Sequence, residues 1–244
     1  MAPRFNEHAF ASPGTAFLCG LGMAPRLILA WVLYATYIGI GAMAHDLGFS
    51  PVWAIASTLI IWASPAQVVL LTMLGAGASP IQTAIAVSLS GVRLLPMVVS
   101  VLPMLRDRDT RLRHLALPAH FTAVTFWVES FRLLPQVPRH RRVAFANGLG
   151  TGLCLGASTA TGIGYGLAAN LPPLLAMGVL FLAPATFLFT IARNSTRLAE
   201  WLAIILGLVA APLAARLDTG VDLLIGGLVA GTLAYGVHRA RARA

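Results

Sequence analysis

The chain has 244 residues, 58% of them hydrophobic and only 10% charged, with a mean hydropathy of +0.81. A soluble domain carries roughly 25% charged residues, so a soluble globular fold is excluded and an all-α polytopic membrane protein is expected. The net charge of +9 comes from arginine alone. With no lysine, a Schiff-base or phosphate-loop lysine is excluded, and arginines placed between apolar segments follow membrane topology, which argues against a nucleic-acid partner.

Met1 to Pro25 shows no basic-then-apolar secretory pattern, and Leu18 stands where a lipoprotein signal before Cys19 needs a small residue, so no cleaved signal is expected. Cys19 and Cys154 are isolated and suggest neither a disulfide nor a metal framework. Residues 27–44 form a first span between Arg26 and His45-Asp46. Residues 52–74 form a second, broken at Pro65. The run Gly75-Ala76-Gly77-Ala78-Ser79-Pro80 is a turn, and residues 81–104 form a third span with Arg93 near its middle.

A polar loop, Arg106 to His114, leads to residues 118–135, which have the length of a short span but carry His120, Glu129 and Arg132. Arg139-His140-Arg141-Arg142 follows. Residues 143–169 are Gly-rich and apolar, residues 173–192 form a span broken near Pro184, and residues 198–215 and 221–237 are the last two spans. Residues 47–92 and 143–192 hold no Asp, Glu, Lys or Arg, and each run has room for two spans of about 20 residues.

The two proline breaks sit in similar settings. Pro65 and Pro184 each follow a Gly-Ile-Gly run (Gly39 to Gly41, Gly162 to Gly164) and a loop ending in proline. Proline removes a backbone N–H and clashes with the preceding turn. Inside a membrane such a break is tolerated only within protein or beside a cavity, and paired breaks in two halves point to a transporter's binding site. The reading is a single transmembrane domain with repeats at 27–105 and 143–237 joined by 106–142. Basic loops at 106–114 and 139–142 both belong on the cytoplasmic side. That makes 118–135 a re-entrant or interfacial fourth segment, gives about seven transmembrane helices with an inverted repeat of Pro-broken helices, and puts the C-terminus in the cytoplasm. The rival topology lets 118–135 cross, giving eight spans and parallel repeats.

Six polar residues are candidates for substrate contact. Arg93 at a span centre is costly and suits bidentate capture of a carboxylate; otherwise it is a structural ion pair or snorkels to the interface. Glu129, the one acid in the apolar part of a segment, could hold an ammonium, pair with Arg93 or carry a proton; otherwise it forms a solvated i, i+3 pair with Arg132. Ser64 precedes Pro65, and Gln67 and Thr186 each lie two residues after a proline break. Half-helix N-termini there would offer N–H groups to an anion, although polar side chains also serve merely to re-satisfy kinked backbone. Asn147 is a further candidate. Gly148, Gly150, Gly152 and Gly156 suggest close helix packing, and Thr151, Ser158, Thr159 and Thr161 hydrogen bonds across helices. There is no H-E-x-x-H motif, no pair of mid-span acids and no nucleotide-hydrolysing domain, so no enzyme, metal or cofactor is expected.

Trp62-Ala63-Ser64-Pro65-Ala66-Gln67, the Gly75 to Pro80 turn and mid-span Arg93 resemble the AzlC family of branched-chain amino-acid permeases, which shows a G-A-S-Q-like break, an A-G-A-S-P turn and an N-x-R-H motif in that order. The resemblance spans most of 20–235 and is densest over 39–105. Here Gly91 and Leu94 replace the Asn and His of N-x-R-H, Pro65 is inserted in the Ser-Gln pair, and Val128-Glu129 stands for a usual Asp-Glu. The resemblance implies a secondary transporter of the bacterial inner membrane, exporting branched-chain or other apolar amino acids with a small AzlD-like membrane subunit; the reading of Glu129 adds protons as a candidate coupling ion. Two other readings are a non-catalytic membrane subunit that needs such a partner, and a carrier of another small zwitterion or organic solute.

Overall fold

The computed structural model describes residues 10–92, 94–107, 110–194, 198–215 and 222–241. Their regular structure is entirely helical: α1 (Pro13–Met23), α2 (Ile28–Asp46), α3 (Pro51–Ile61), α4 (Ser64–Gly75), α5 (Pro80–Gly91), α6 (Leu94–Leu105), α7 (Ala116–His120), α8 (Val124–Leu133), α9 (Arg142–Asn170), α10 (Pro173–Asn194), α11 (Leu198–Ala215) and α12 (Asp222–Arg241).

Ser-Pro pairs start three of these helices, α1, α3 and α5, by one local mechanism. Ser50 and Ser79 accept hydrogen bonds from the N–H groups of Trp53 and Gln82, at 3.2 and 3.3 Å, and Pro51 and Pro80 occupy first-turn positions where no N–H is needed. At Ser79 the Gln82 side chain returns a bond to the cap's own N–H, closing a capping box. The expected turn before it is present, with Gly77 in the left-handed region at φ 78°.

Two expectations need correction, for the third span and for Pro184, and two segments gain detail. The N-terminal segment, for which the sequence predicts no span, contains α1, which Ser12 and Thr15 cap and which packs along α9; beyond that local start, its mixed Gly, Thr and Cys composition hides the helix. The third span is two helices, α5 and α6, bent by 50° on either side of residue 93. Pro184 does not end a helix, because α10 runs from Pro173 to Asn194; one missing N–H costs one backbone bond, and the flanking turns carry the helix past it. Residues 118–135 hold α7 and α8 with a turn between them. At 1.5 Å per residue α8 is about 15 Å long, half the hydrocarbon thickness.

Among the described residues, by length and hydropathy α2 alone could cross a bilayer as one helix, and the bent α5–α6 pair could do so as one span. The described residues divide into two compact units, the first ending at Pro184 and the second starting at Ala185. In the second, α11 and α12 pack on each other, with Ala230 and Ala234 of α12 buried.

In the first unit α9 is the central helix and touches α1, α2 and α3. Glycine makes this approach possible. A Cβ at Gly148 would overlap the Phe17 carbonyl of α1, one at Gly41 would overlap the Thr161 carbonyl, and one at Gly164 the Ile38 carbonyl. The expected packing role of the α9 glycines is therefore seen at backbone-contact distance. At the start of α9, Arg141 donates to the carbonyls of Phe10 and Ala11 at 3.2 and 3.1 Å, and Arg142 donates to those of Val137 and Met104 at 3.0 and 2.9 Å. These two arginines tie the N-terminal segment and the end of α6 to the central helix.

Candidate functional site

The α3–α4 break is where the sequence expects it, and Pro65 accounts for it. Proline at 65 has no N–H for the Ile61 carbonyl and its ring would clash there; α3 ends at Ile61 and Pro65 sits in the first turn of α4. Between the helices Trp62 adopts φ 40°, ψ 38°, and Ala63 is extended. A bulky residue in the left-handed region is uncommon, and the surroundings hold it there. Trp62 is 2% exposed, its ring stacks on Tyr37 of α2 with centroids 6.1 Å apart, and its Nε1–H donates to the Phe121 carbonyl at 2.8 Å. His120 reaches the Leu59 carbonyl at 3.0 Å from the same α7 turn. The break is thus held from α2 and from the segment after α7.

Gln67, on the first turn of α4, is fully buried. Its Nε2 donates to Ser57 Oγ and to Thr58 Oγ1, both at 2.9 Å, and lies 3.4 Å from the Ala54 carbonyl. Thr58 Oγ1 is 3.0 Å from Thr161 Oγ1 on α9. The hydroxyls of Ser57, Thr58 and Thr161 also reach the carbonyls of Ala54, Ala54 and Ala157 in their own helices. Ser57, Thr58, Gln67 and Thr161 thus form one buried polar cluster joining α3, α4 and α9. One atom of the cluster has no partner: Gln67 Oε1 is buried and accepts nothing. An unsatisfied buried acceptor costs about 1–3 kcal/mol. The N-terminus of α4 has Ala63 as its cap residue and no side-chain bond to its N–H groups, which leaves the positive end of the helix dipole uncovered by side chains.

The structure brings Gln67 together with Ser64, the half-buried first residue of α4. Arg93 lies outside the described residues, and so does the side chain of Thr186. Glu129 is 4% exposed and is bound by Arg132 of its own helix, with Oε2 2.7 Å from Nε and 2.6 Å from Nη2. That is the i, i+3 pair, with the carboxylate buried. Asn147, on α9, has its Oδ1 buried without a partner.

Sequence reasoning did not single out Ser57, Thr58 or Trp62. Of the hydroxyl residues expected to bridge helices, Thr161 does so through Thr58, whereas Ser158 and Thr159 bond carbonyls three or four residues back in α9. Ser and Thr commonly make that local bond. A spacing signal did exist: Ser57 and Thr58 occupy the last turns before the break and Gln67 the first turn after it, so a folded-back break brings them within reach.

A family model described as AzlC protein matches residues 28–171. The chain belongs to the AzlC family. AzlC proteins are membrane proteins associated with branched-chain amino-acid transport and with AzlD-like partners. The matched segment runs from α2 through α9 and contains the break, the buried cluster, Glu129 and Asn147; α1, α11 and α12 lie outside it. No curated protein and no solved structure matched this AzlC chain.

Proposed function

We propose that the chain is a secondary transporter of the bacterial inner membrane that exports branched-chain or other apolar amino acids through a path at the α3–α4 break. The observation that carries this reading is the buried polar cluster around Gln67, set on a proline-broken apolar helix in a member of a transport family. A soluble fold has no need of such a break, and a transporter uses one to present backbone and amide groups to its cargo.

In this reading the protein crosses the membrane about seven times, 118–135 returns to the side from which it enters, and the C-terminus is cytoplasmic. The repeats at 27–105 and 143–237 are inverted, and rocking of bundles about the α3–α4 break alternates access. Arg93 engages the substrate carboxylate, helped by N–H groups at the start of α4 and by Ser64. Glu129 carries the coupling proton, Asn147 lines the path, and Thr186 plays the part in the second repeat that Gln67 plays in the first. A small AzlD-like subunit assembles with the chain.

Counterflow of labelled valine, leucine, isoleucine and methionine in proteoliposomes tests this, with the chain reconstituted alone and with an AzlD-like subunit, and with and without a pH gradient. Saturable flux that Arg93→Gln abolishes is expected. Absence of flux for all four amino acids in both preparations removes the amino-acid assignment, and normal flux in Arg93→Gln removes the carboxylate role.

A further inference from the structure

We propose that Gln67 Oε1 is the acceptor for the α-ammonium group of the transported amino acid. The inference rests on the amino-acid transport reading and assigns one of its contacts. Gln67 is fully buried, and both protons of its amide nitrogen are engaged by Ser57 Oγ and Thr58 Oγ1. Thr58 is braced in turn by Thr161 of α9. The amide is therefore clamped at its nitrogen end and presents a bare carbonyl oxygen.

Turning the amide over does not help. The oxygen would then face two hydroxyls whose protons already serve the Ala54 carbonyl, and would itself lie 3.4 Å from that carbonyl oxygen, acceptor against acceptor. The observed orientation avoids this and leaves a free acceptor.

The chemistry of the ligand follows from what is free. The hydroxyls of Ser57 and Thr58 already accept from the Gln67 amide, Thr58 is also paired with Thr161, and no carboxylate joins the cluster among the described residues, so a metal cation, which needs several hard oxygens at once, is poorly served. A group with N–H protons needs only one acceptor. A helical side chain leans toward the N-terminus of its own helix, and the start of α4, three residues before Gln67, carries no side-chain cap. A zwitterion placed there meets N–H groups with its carboxylate and a carbonyl oxygen with its ammonium. Glu129 does not compete for the ammonium, since its carboxylate is held by Arg132.

The test compares leucine with two analogues of its skeleton: 4-methylpentanoate, which lacks the ammonium, and 3-methylbutylamine, which lacks the carboxylate. Affinities are read from ligand-induced shifts of thermal unfolding of the purified full chain. Wild type should prefer leucine over 4-methylpentanoate. Gln67→Met, close in volume and without polar atoms, should weaken leucine by about 10- to 100-fold, the worth of a hydrogen bond to a charged group, and leave 4-methylpentanoate unchanged. Gln67→Glu, which keeps an acceptor in place, should retain the leucine preference and bind 3-methylbutylamine about tenfold more tightly than wild type; it carries the test if Gln67→Met does not fold. Equal weakening of leucine and 4-methylpentanoate in Gln67→Met overturns the proposal, as does a variant that only lowers ligand-free stability, the mark of a structural water on Oε1. A wild type that responds to none of the three ligands, alone and with an AzlD-like subunit, removes leucine as cargo and with it this proposal, and separates that failure from the failure of the Gln67 contact.

Discussion

Thr58 of α3 and Thr161 of α9, 103 residues apart in sequence, share a hydrogen bond with their hydroxyl oxygens 3.0 Å apart, and both are fully buried. This bond fastens the end of the broken helix to the central helix. Because Thr58 also accepts from Gln67, it sets the position of the amide as well. A double-mutant cycle of Thr58→Val and Thr161→Val, read by thermal unfolding in detergent, should show a coupling of about 1 kcal/mol. Additive effects would mean that the two hydroxyls act separately.

Backbone contact between α1 and α9 depends on Gly148, where a methyl group would run into the Phe17 carbonyl. Gly148→Ala should destabilise the protein by about 1–3 kcal/mol, the usual cost of overpacking. Gly166→Ala on the same helix meets open space and should be neutral or stabilise by roughly 0.5–1 kcal/mol. Equal effects of the two would argue against close α1–α9 packing.

Trp62→Phe keeps a ring to stack on Tyr37 and loses the bond to the Phe121 carbonyl. A cost of about 1–3 kcal/mol is expected from the acceptor left unpaired. Amide hydrogen exchange at residues 62–63 and at 120–123 should quicken together, and unchanged exchange at 120–123 would show that the tryptophan does not hold that turn.

Arg141 is the tie between the start of α9 and the segment before α1. Arg141→Gln should raise amide exchange over residues 10–16 several-fold and leave α2 unaffected. An equal rise in both helices would indicate a global loss of stability rather than a released anchor.

The path of residues 118–135 is decided by labelling. In a chain whose Cys19 and Cys154 are replaced by alanine, Thr110→Cys and His140→Cys should react with an impermeant maleimide from the same side of the membrane. α8 is too short to cross unaided, which supports that outcome. Labelling from opposite sides would replace the inverted repeat with eight crossings and parallel repeats.

Much of this protein follows from rules that act over a few residues. Composition sets the membrane class. Pro65 ends α3 at Ile61 because ring and carbonyl cannot share the space. Ser50-Pro51 and Ser79-Pro80 start helices because a hydroxyl can take an N–H three residues on. The break motif, the turn and the spacing to Arg93 suffice for the family. Tertiary structure decided the rest. α1 is a helix whose packing partner lies more than 120 residues away. Pro184 reads locally like Pro65, yet α10 continues through it. The partners of Gln67 come from α3, one of them braced by Thr161 of α9, and its free oxygen is visible only once those partners are in place. The division has one physical cause: caps and proline clashes are local, whereas which buried polar atom is satisfied and which is left for a ligand depends on residues that only folding brings together.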